Sequence, residues 1–568
     1  MQIYSINLSI FICYYLRLSN YEQRKELEKR INCILDKFKK NYIDLEDFLN
    51  LPIKEEKFII SNIKLDKGIA INRILLENIF ALFVAINNKI PIFIIGKSDC
   101  SKSLCLKLII QAMKGSESNN AFFKKYPKII IHSHKDSFVN KTKYIKNIFK
   151  KTLEKISQIN IEDKKKIINL IYFDNISLQE HSTNNELKII INELEYNEKE
   201  NNRQITFVCI SRWNLDSSTM NKGILLSIPE LNEKEYKEIA FNIGISFDKN
   251  IAIKYKNLFE NLGKCYYKYK NYLRKRYYEN INIELHEDRD FYHLVKNSAR
   301  NLINKEKQNE LNNESLLDCV IDSIERNFSG IKFKENNKTS LELFKELLHE
   351  IYPSCQIKNE HDLLKKIKEN LNDIDGRYLL ISSQNSICNF LLSTILEDEN
   401  KDYKFIIGSP FEQDLNSEEY ILKVLKKIQA YMGQGKILIL KNLEFLYPSL
   451  YDLFKQNFTA INNKNYLRLA FGTNTNIFSF VNKDFRCIIN IEKDKLSQLD
   501  ASFLNIFEKH IMSFEYIMDD ELIKESEKIK NIIDEFSNCN NKIFKAINYV
   551  LKKLMINCGK LRNPSFSL

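Results

Sequence analysis

At 568 residues the chain exceeds what one hydrophobic core organises, and a 44% hydrophobic content with 36 Phe and 28 Tyr excludes a disordered tail, so at least two folded domains are expected. The net charge of +12 raises the question of nucleic acid, but basic residues alternate with acids, as in "KELEKRINCILDKFKK", which is the pattern of solvated helix faces and disfavours that partner. Twelve cysteines without a Cys-x-x-Cys pair argue against zinc fingers and redox motifs, and the absence of any run of 18 apolar residues argues against a membrane span; a reducing, cytoplasmic setting fits both.

The opening "MQIYSINLSIFICYYLRL" lacks a basic leader and a small-residue cleavage site, so it is not read as a signal peptide. Residues 1–58 form a helical lead-in, its spacing clearest from 21 to 58. Short β-branched or aromatic runs at 91–96, 128–133, 167–174, 205–211 and 223–229, separated mostly by helix-like segments, predict a first parallel α/β core over 59–229. The pattern turns helical over 230–330, and a connector over 331–370 includes the polar "KFKENNKTS". Further strands at 377–383, 403–409, 436–446, 467–473 and 485–492 predict a second core over 371–515, and 516–568 reads as helical. One architecture, an α/β core followed by helices, is therefore used twice.

Within "IPIFIIGKSDCSKSLCLKLI" a strand ends at Gly96 and an apolar helix opens at Lys102. The segment Gly96, Lys97, Ser98, Asp99, Cys100, Ser101, Lys102, Ser103 and Leu104 has the spacing of a phosphate-binding loop with Ser101 at the second glycine. In such a loop, backbone N–H groups and the helix N-terminus surround the phosphates, the Lys reaches the outer pair and the Ser holds magnesium. An ordinary strand-to-helix turn is the competing reading. Asp174, at the end of "NLIYFD", stands where a second magnesium ligand is expected, but the next residue is Asn175, an amide that cannot act as a base. His132 and His134 have metal-like spacing without a third ligand nearby, and Trp213 reads as a packing anchor. Arg326 in "ERNFSG" is either a sensor for the outer phosphate or a helix-end ion pair.

These residues resemble the mysterin-like family of giant AAA+ RING-finger ubiquitin ligases, over nearly the whole chain from 13 to about 510. "GKSDCSKSL" is similar to the family's first loop, which itself carries Ser before the Lys. "FDNISLQE", "FVCISRWNLDSSTMNKGILLS", "RDFYHLVK" and "ERNFSG" resemble its first unit, and "KNLEFLYPSLYDLFKQNF", "FRCIINIEKDKL" and "FLNIFEKH" its second. The resemblance implies tandem AAA+ P-loop NTPase-like units, each with a parallel sheet core and a helical domain. It also implies ATP and magnesium at the first unit, held by the 96–104 loop, Ser103 and Asp174.

Several positions depart from the family pattern. Ser98 and Asp99 replace Pro and Gly, Asn175 replaces the catalytic Glu, Arg212 replaces the sensor Asn, and Lys222 replaces an Arg. In the second unit "LLISSQNSICNFLL" has no loop Lys, Lys441 and Asn442 stand where a magnesium acid would be, and Ile506 replaces an Arg. The reading is ATP binding with weak or absent hydrolysis, as a nucleotide-dependent scaffold. The alternatives are a nucleotide-free interaction scaffold, which the charge of Asp99 would favour, and a residual ATPase with Glu180 as base. Other segments or subunits of a larger ubiquitin-ligase assembly are the implied partners.

Overall fold

The computed structural model describes residues 2–39, 47–97, 100–134, 141–158, 166–173, 192–193, 195, 205–212, 221–277, 286–308, 313–329, 339–352, 363–383, 387–415, 417–471, 475–492, 495–496, 499, 501–512 and 528. Helices α1 (Gln2–Ile10), α2 (Tyr21–Lys39), α3 (Asn50–Ser61) and α4 (Arg73–Asn87) lead into the first sheet. Its strands are β1 (Ile92–Ile95), β2 (Lys128–His134), β3 (Ile167–Phe173), β4 (Ile205–Ser211) and β5 (Ile224–Ser227), with α5 (Lys102–Ala112) after β1 and α6 (Lys141–Ser157) after β2. All neighbours are parallel, in the order β2-β3-β4-β1-β5.

A parallel sheet needs cover on both faces, which is why its strands are continuous apolar runs. Ile92, Ile94, Val208 and Ile210 point into the larger core with α4 and α5, while Phe93, Ile95, Phe207 and Cys209 pack with Phe149 of α6. The lead-in shares the larger core, contributing Phe11, Tyr15, Phe48 and Ile59. Buried Arg24 ties it down, donating to the Glu77 carboxylate of α4 at 2.8 Å and to the carbonyls of Leu18 and Ser227.

The helical domain comprises α7 (Glu233–Phe247), α8 (Lys249–Lys254), α9 (Lys256–Tyr277), α10 (Asp288–Lys307), α11 (Asn313–Asn327) and α12 (Ser340–His349). A capping box opens α7: Asn232 Oδ1 accepts from the N–H of Glu235, and Glu235 Oε2 accepts from the N–H of Asn232. Residues 340–349, within the span read as a connector, form α12 and bury Leu341, Leu343, Phe344 and Leu348 in the first unit's core.

After α13 (Leu363–Asn372) come β6 (Leu379–Ser383), α14 (Ile387–Asp398), β7 (Tyr403–Ile407), α15 (Glu418–Gln434), β8 (Ile437–Lys441), β12 (Arg486–Glu492) and β13 (Glu508–Met512). They make a second parallel sheet in the order β13-β6-β12-β8-β7. Numbered within their own units, both sheets follow the order 5-1-4-3-2, so the repeat is one of topology as well as of element type. The run at 467–473 departs from expectation. Residues 467–471 fall in β10 (Lys464–Phe471), which pairs antiparallel with β9 (Thr459–Ile461) and β11 (Thr475–Val481) in a separate sheet inserted between β8 and β12. Among the described residues no helix is long and apolar enough to cross a membrane.

Candidate functional site

β1 delivers the chain to Gly96 at the carboxyl edge of the sheet, where ligands of open α/β folds bind. The Gly96 N–H donates to the Ser211 carbonyl of β4 at 3.2 Å, and a Cβ at Gly96 would come within 2.9 Å of Ile228 Cβ, so the position has no room for a side chain. The loop returns through buried Cys100 to Ser101, which has φ 57° and ψ 11°. This left-handed conformation is the one glycine adopts without strain, which explains what a glycine at this place in the pattern is for; Ser101 holds it at a cost on the order of 1 kcal/mol. α5 starts at the next residue, aiming its first N–H groups back toward the loop.

The Lys102 ammonium is buried and donates to the carbonyl of Gly96 at 2.6 Å and to that of Lys97. It thus folds over the loop's own backbone. Lys97 pairs with Glu230, which also receives Arg274 of α9 at 2.5 Å, so a chain of ions joins the loop to the helical domain. Arg212 follows Ser211 directly, and its guanidinium lies 3.5 Å from Glu287 at the start of α10. Lys222 pairs with Glu195 at 2.6 Å. Gly96, Lys97, Cys100, Ser101, Lys102, Ser103 and Leu104 therefore gather at the end of β1, with Arg212 beside them, one residue past the end of β4. Ser98, Asp99, Asp174, Asn175, Glu180 and Trp213 lie outside the described residues; β3 ends at Phe173, one residue before Asp174. His132 Nε2 sits 3.3 Å from Asn169 Oδ1, and among the described residues no group of His, Cys, Asp or Glu could hold a metal ion.

The corresponding edge of the second sheet is arranged differently. At the end of β6, Ser383 Oγ donates to Asn490 Oδ1 of β12 at 3.2 Å, and Asn490 Nδ2 donates to Asn389 Oδ1 of α14 at 2.6 Å. Lys441 ends β8, and Asn442 after it, at φ 54°, accepts from Lys495 Nζ at 3.3 Å. Amides and a cation occupy the strand ends where phosphate and magnesium ligands would be needed. Cys388, beside them, has its thiol pushed up to about 12 by burial, which leaves it a protonated packing group.

Arg326 lies at the junction of the two units, where its Nε donates to both Glu508 oxygens of β13 (3.1 and 3.0 Å) and its Nη2 donates to Asp373 at 2.9 Å. Of the two sequence readings for this residue, the geometry is that of the ion pair. Around it lies a buried polar cluster that sequence reasoning missed. Asp290, fully buried, accepts from Arg377 at 2.7 Å and from Lys509 at 3.1 and 3.0 Å. Burial alone would raise its pKa, but Lys509 and Arg377 outweigh it and hold the carboxyl below its ordinary range. Glu508 is likewise opposed by burial yet held at about 2, chiefly by Arg326 and His510. Ser329 Oγ donates to the Lys509 carbonyl at 3.1 Å and lies 3.0 Å from His510 Nδ1. "RDFYHLVK", "ERNFSG" and the "EKH" of "FLNIFEKH" thus converge on one place, although 182 residues separate Arg326 from Glu508 and 219 separate Asp290 from Lys509.

Two family models, both described as RNF213 AAA domain, match residues 68–235 and 368–518, the two α/β cores. The E3 ubiquitin-protein ligase rnf213-beta of Danio rerio is 28% identical over 519 residues, covering 89% of this chain and 10% of that protein. The E3 ubiquitin-protein ligase RNF213 is 26% identical over 538 residues in Homo sapiens and 27% over 535 in Mus musculus, in each case covering 91% of this chain and 10% of the relative. The chain spans about a tenth of the length of these curated relatives. Matching models over both cores, and relatives aligned along about nine-tenths of the chain, make it an RNF213-type AAA+ region with two consecutive AAA units.

Proposed function

We propose that the first unit binds ATP with magnesium and hydrolyses it weakly or not at all, so that nucleotide acts as a structural ligand. The observation that carries this reading is the buried Lys102 ammonium, positioned over a strand-loop-helix turn whose left-handed residue, Ser101, precedes α5. Lys102 and the N-terminus of α5 would hold the phosphates, and Ser103 with Asp174 would hold the magnesium, which neutralises phosphate charge when bound. Asn175 cannot activate water, which supports binding without efficient turnover. The Ser383–Asn490–Asn389 chain and Lys441 favour a second unit without nucleotide. The chain would serve as the nucleotide-held frame of a larger, cytoplasmic ubiquitin-ligase assembly.

The test is a titration with a fluorescent ATP analogue, followed by competition with ATP. Saturable binding at micromolar to millimolar levels that Lys102→Ala abolishes is expected. Undiminished binding by Lys102→Ala, or no binding by the natural chain, overturns the reading; in the second case a purely structural scaffold remains, and Asp99→Gly should then create binding.

A further inference from the structure

The start of α10 carries three acids that face three different bodies. Asp288 stays within the helical domain, accepting from Tyr236 at 2.7 Å, Tyr266 at 3.0 Å and Lys270 at 2.6 Å. Asp290 reaches into the second unit, to Arg377 and Lys509. Glu287 turns to the first core, its Oε1 3.5 Å from Arg212 Nη2, with both side chains less than one-fifth exposed. Arg212 is not an arbitrary partner. It follows the residue whose carbonyl receives the Gly96 N–H, so it stands at the mouth of the phosphate loop.

We propose that Glu287 occupies Arg212 in place of a phosphate, so that triphosphate binding at the loop competes with the attachment of α10 to the first core. A guanidinium offers the same forked donor set to a carboxylate and to a phosphate, and cannot serve both fully. A polyphosphate in the loop would draw Arg212 away and repel Glu287, and a triphosphate, with its additional charge, would do so more strongly than a diphosphate. The link from Lys97 through Glu230 to Arg274 follows the same logic, a cation of the loop held by an acid that also binds the helical domain. Because Asp290 lies one turn from Glu287 and is locked into the second unit, releasing Glu287 removes one tie between the first core and the helix start that anchors the second unit. Glu287 is a positioning residue that acts through Arg212, and Arg212 is the group that would contact the outer phosphate.

The inference rests on the nucleotide-binding reading of the first unit, and one experiment separates the two. ATP and ADP dissociation constants are measured for the full chain, for Glu287→Gln and for Arg212→Gln, with hydrogen exchange of the α10 amides followed in the same samples. Removing the competing carboxylate should tighten ATP binding about three- to ten-fold, the range of a partly buried ion pair, while ADP changes by less than about two-fold. Arg212→Gln should weaken ATP binding about ten-fold with ADP again little affected. ATP should speed exchange at the start of α10 in the natural chain and have little further effect in Glu287→Gln. Equal shifts for ATP and ADP, or no shift in either, overturn the competition while leaving nucleotide binding intact. Failure of the natural chain to bind either nucleotide overturns the nucleotide reading, and this inference with it.

Discussion

Replacing Asp290 by Asn should destabilise the junction between the units by about 4 kcal/mol, because removing one member of a buried ion cluster leaves the others uncompensated. The amide keeps the shape but withdraws the charge facing Lys509 and Arg377, whose side chains are 2% and 4% exposed. Equilibrium urea unfolding followed by circular dichroism, fitted transition by transition, gives the loss; limited proteolysis locates it at the helical domain and second unit. The effect depends on pH in a defined direction. The Asp290 pKa is depressed in the folded state, so its contribution is present above the ordinary carboxylate range and fades as pH falls through the depressed value. The difference between the natural chain and D290N should therefore shrink in acid. A second variant separates charge from packing: with Asp290→Leu, Lys509→Met and Arg377→Met combined, no charge is stranded and most of the loss should be recovered. A loss below about 1 kcal/mol for D290N would put the cluster in the class of surface ion pairs and refute the argument.

Two further substitutions test packing and burial by the sign of their effects. Gly263→Ala would ordinarily stabilise a helix by about 1 kcal/mol, but a Cβ there would sit 2.6 Å from the Tyr236 carbonyl oxygen, so α7 and α9 must separate and a loss of about 2 kcal/mol is expected in thermal unfolding. Burial raises the Glu56 carboxyl to about 9, against 4.5 when solvated, so the natural chain loses stability as pH rises between those values. Glu56→Gln should match it near pH 4.5 and exceed it by more than about 2 kcal/mol at pH 8, and equal stability at both pH values would show that the carboxyl is not buried as described.

The parallel cores were legible in the sequence because each strand buried on both faces is a contiguous apolar run, and the strand-turn-helix from β1 to α5 because its parts are adjacent in the chain. The antiparallel placement of β10 was not legible, since an apolar run does not state the direction of its neighbour. Nor was β13, where "EKHIM" carries three ionisable residues in its first three positions and reads as solvated chain. Those charges are buried because their counter-charges arrive from Asp290 and Arg326, far off in sequence, and only the fold brings them together. The resemblance had singled out the stretches that meet there but not their meeting. Arg326 likewise fits two roles in the sequence, and the acids on its donors, Glu508 and Asp373, come from distant parts of the chain.

The two-unit junction also bears on the order in which the molecule can be built. α10 leaves the ribosome carrying an acid whose cationic partners Arg377 and Lys509 have not yet been translated, and the second of these follows 219 residues later. At about 5–20 residues per second, Asp290 stays solvated for roughly 10–40 s. The helical domain can assemble around Asp288 in that interval, but its final seating must await β13, so a nascent chain stalled before residue 509 should expose the α10 surface to proteases and chaperones that the finished molecule excludes.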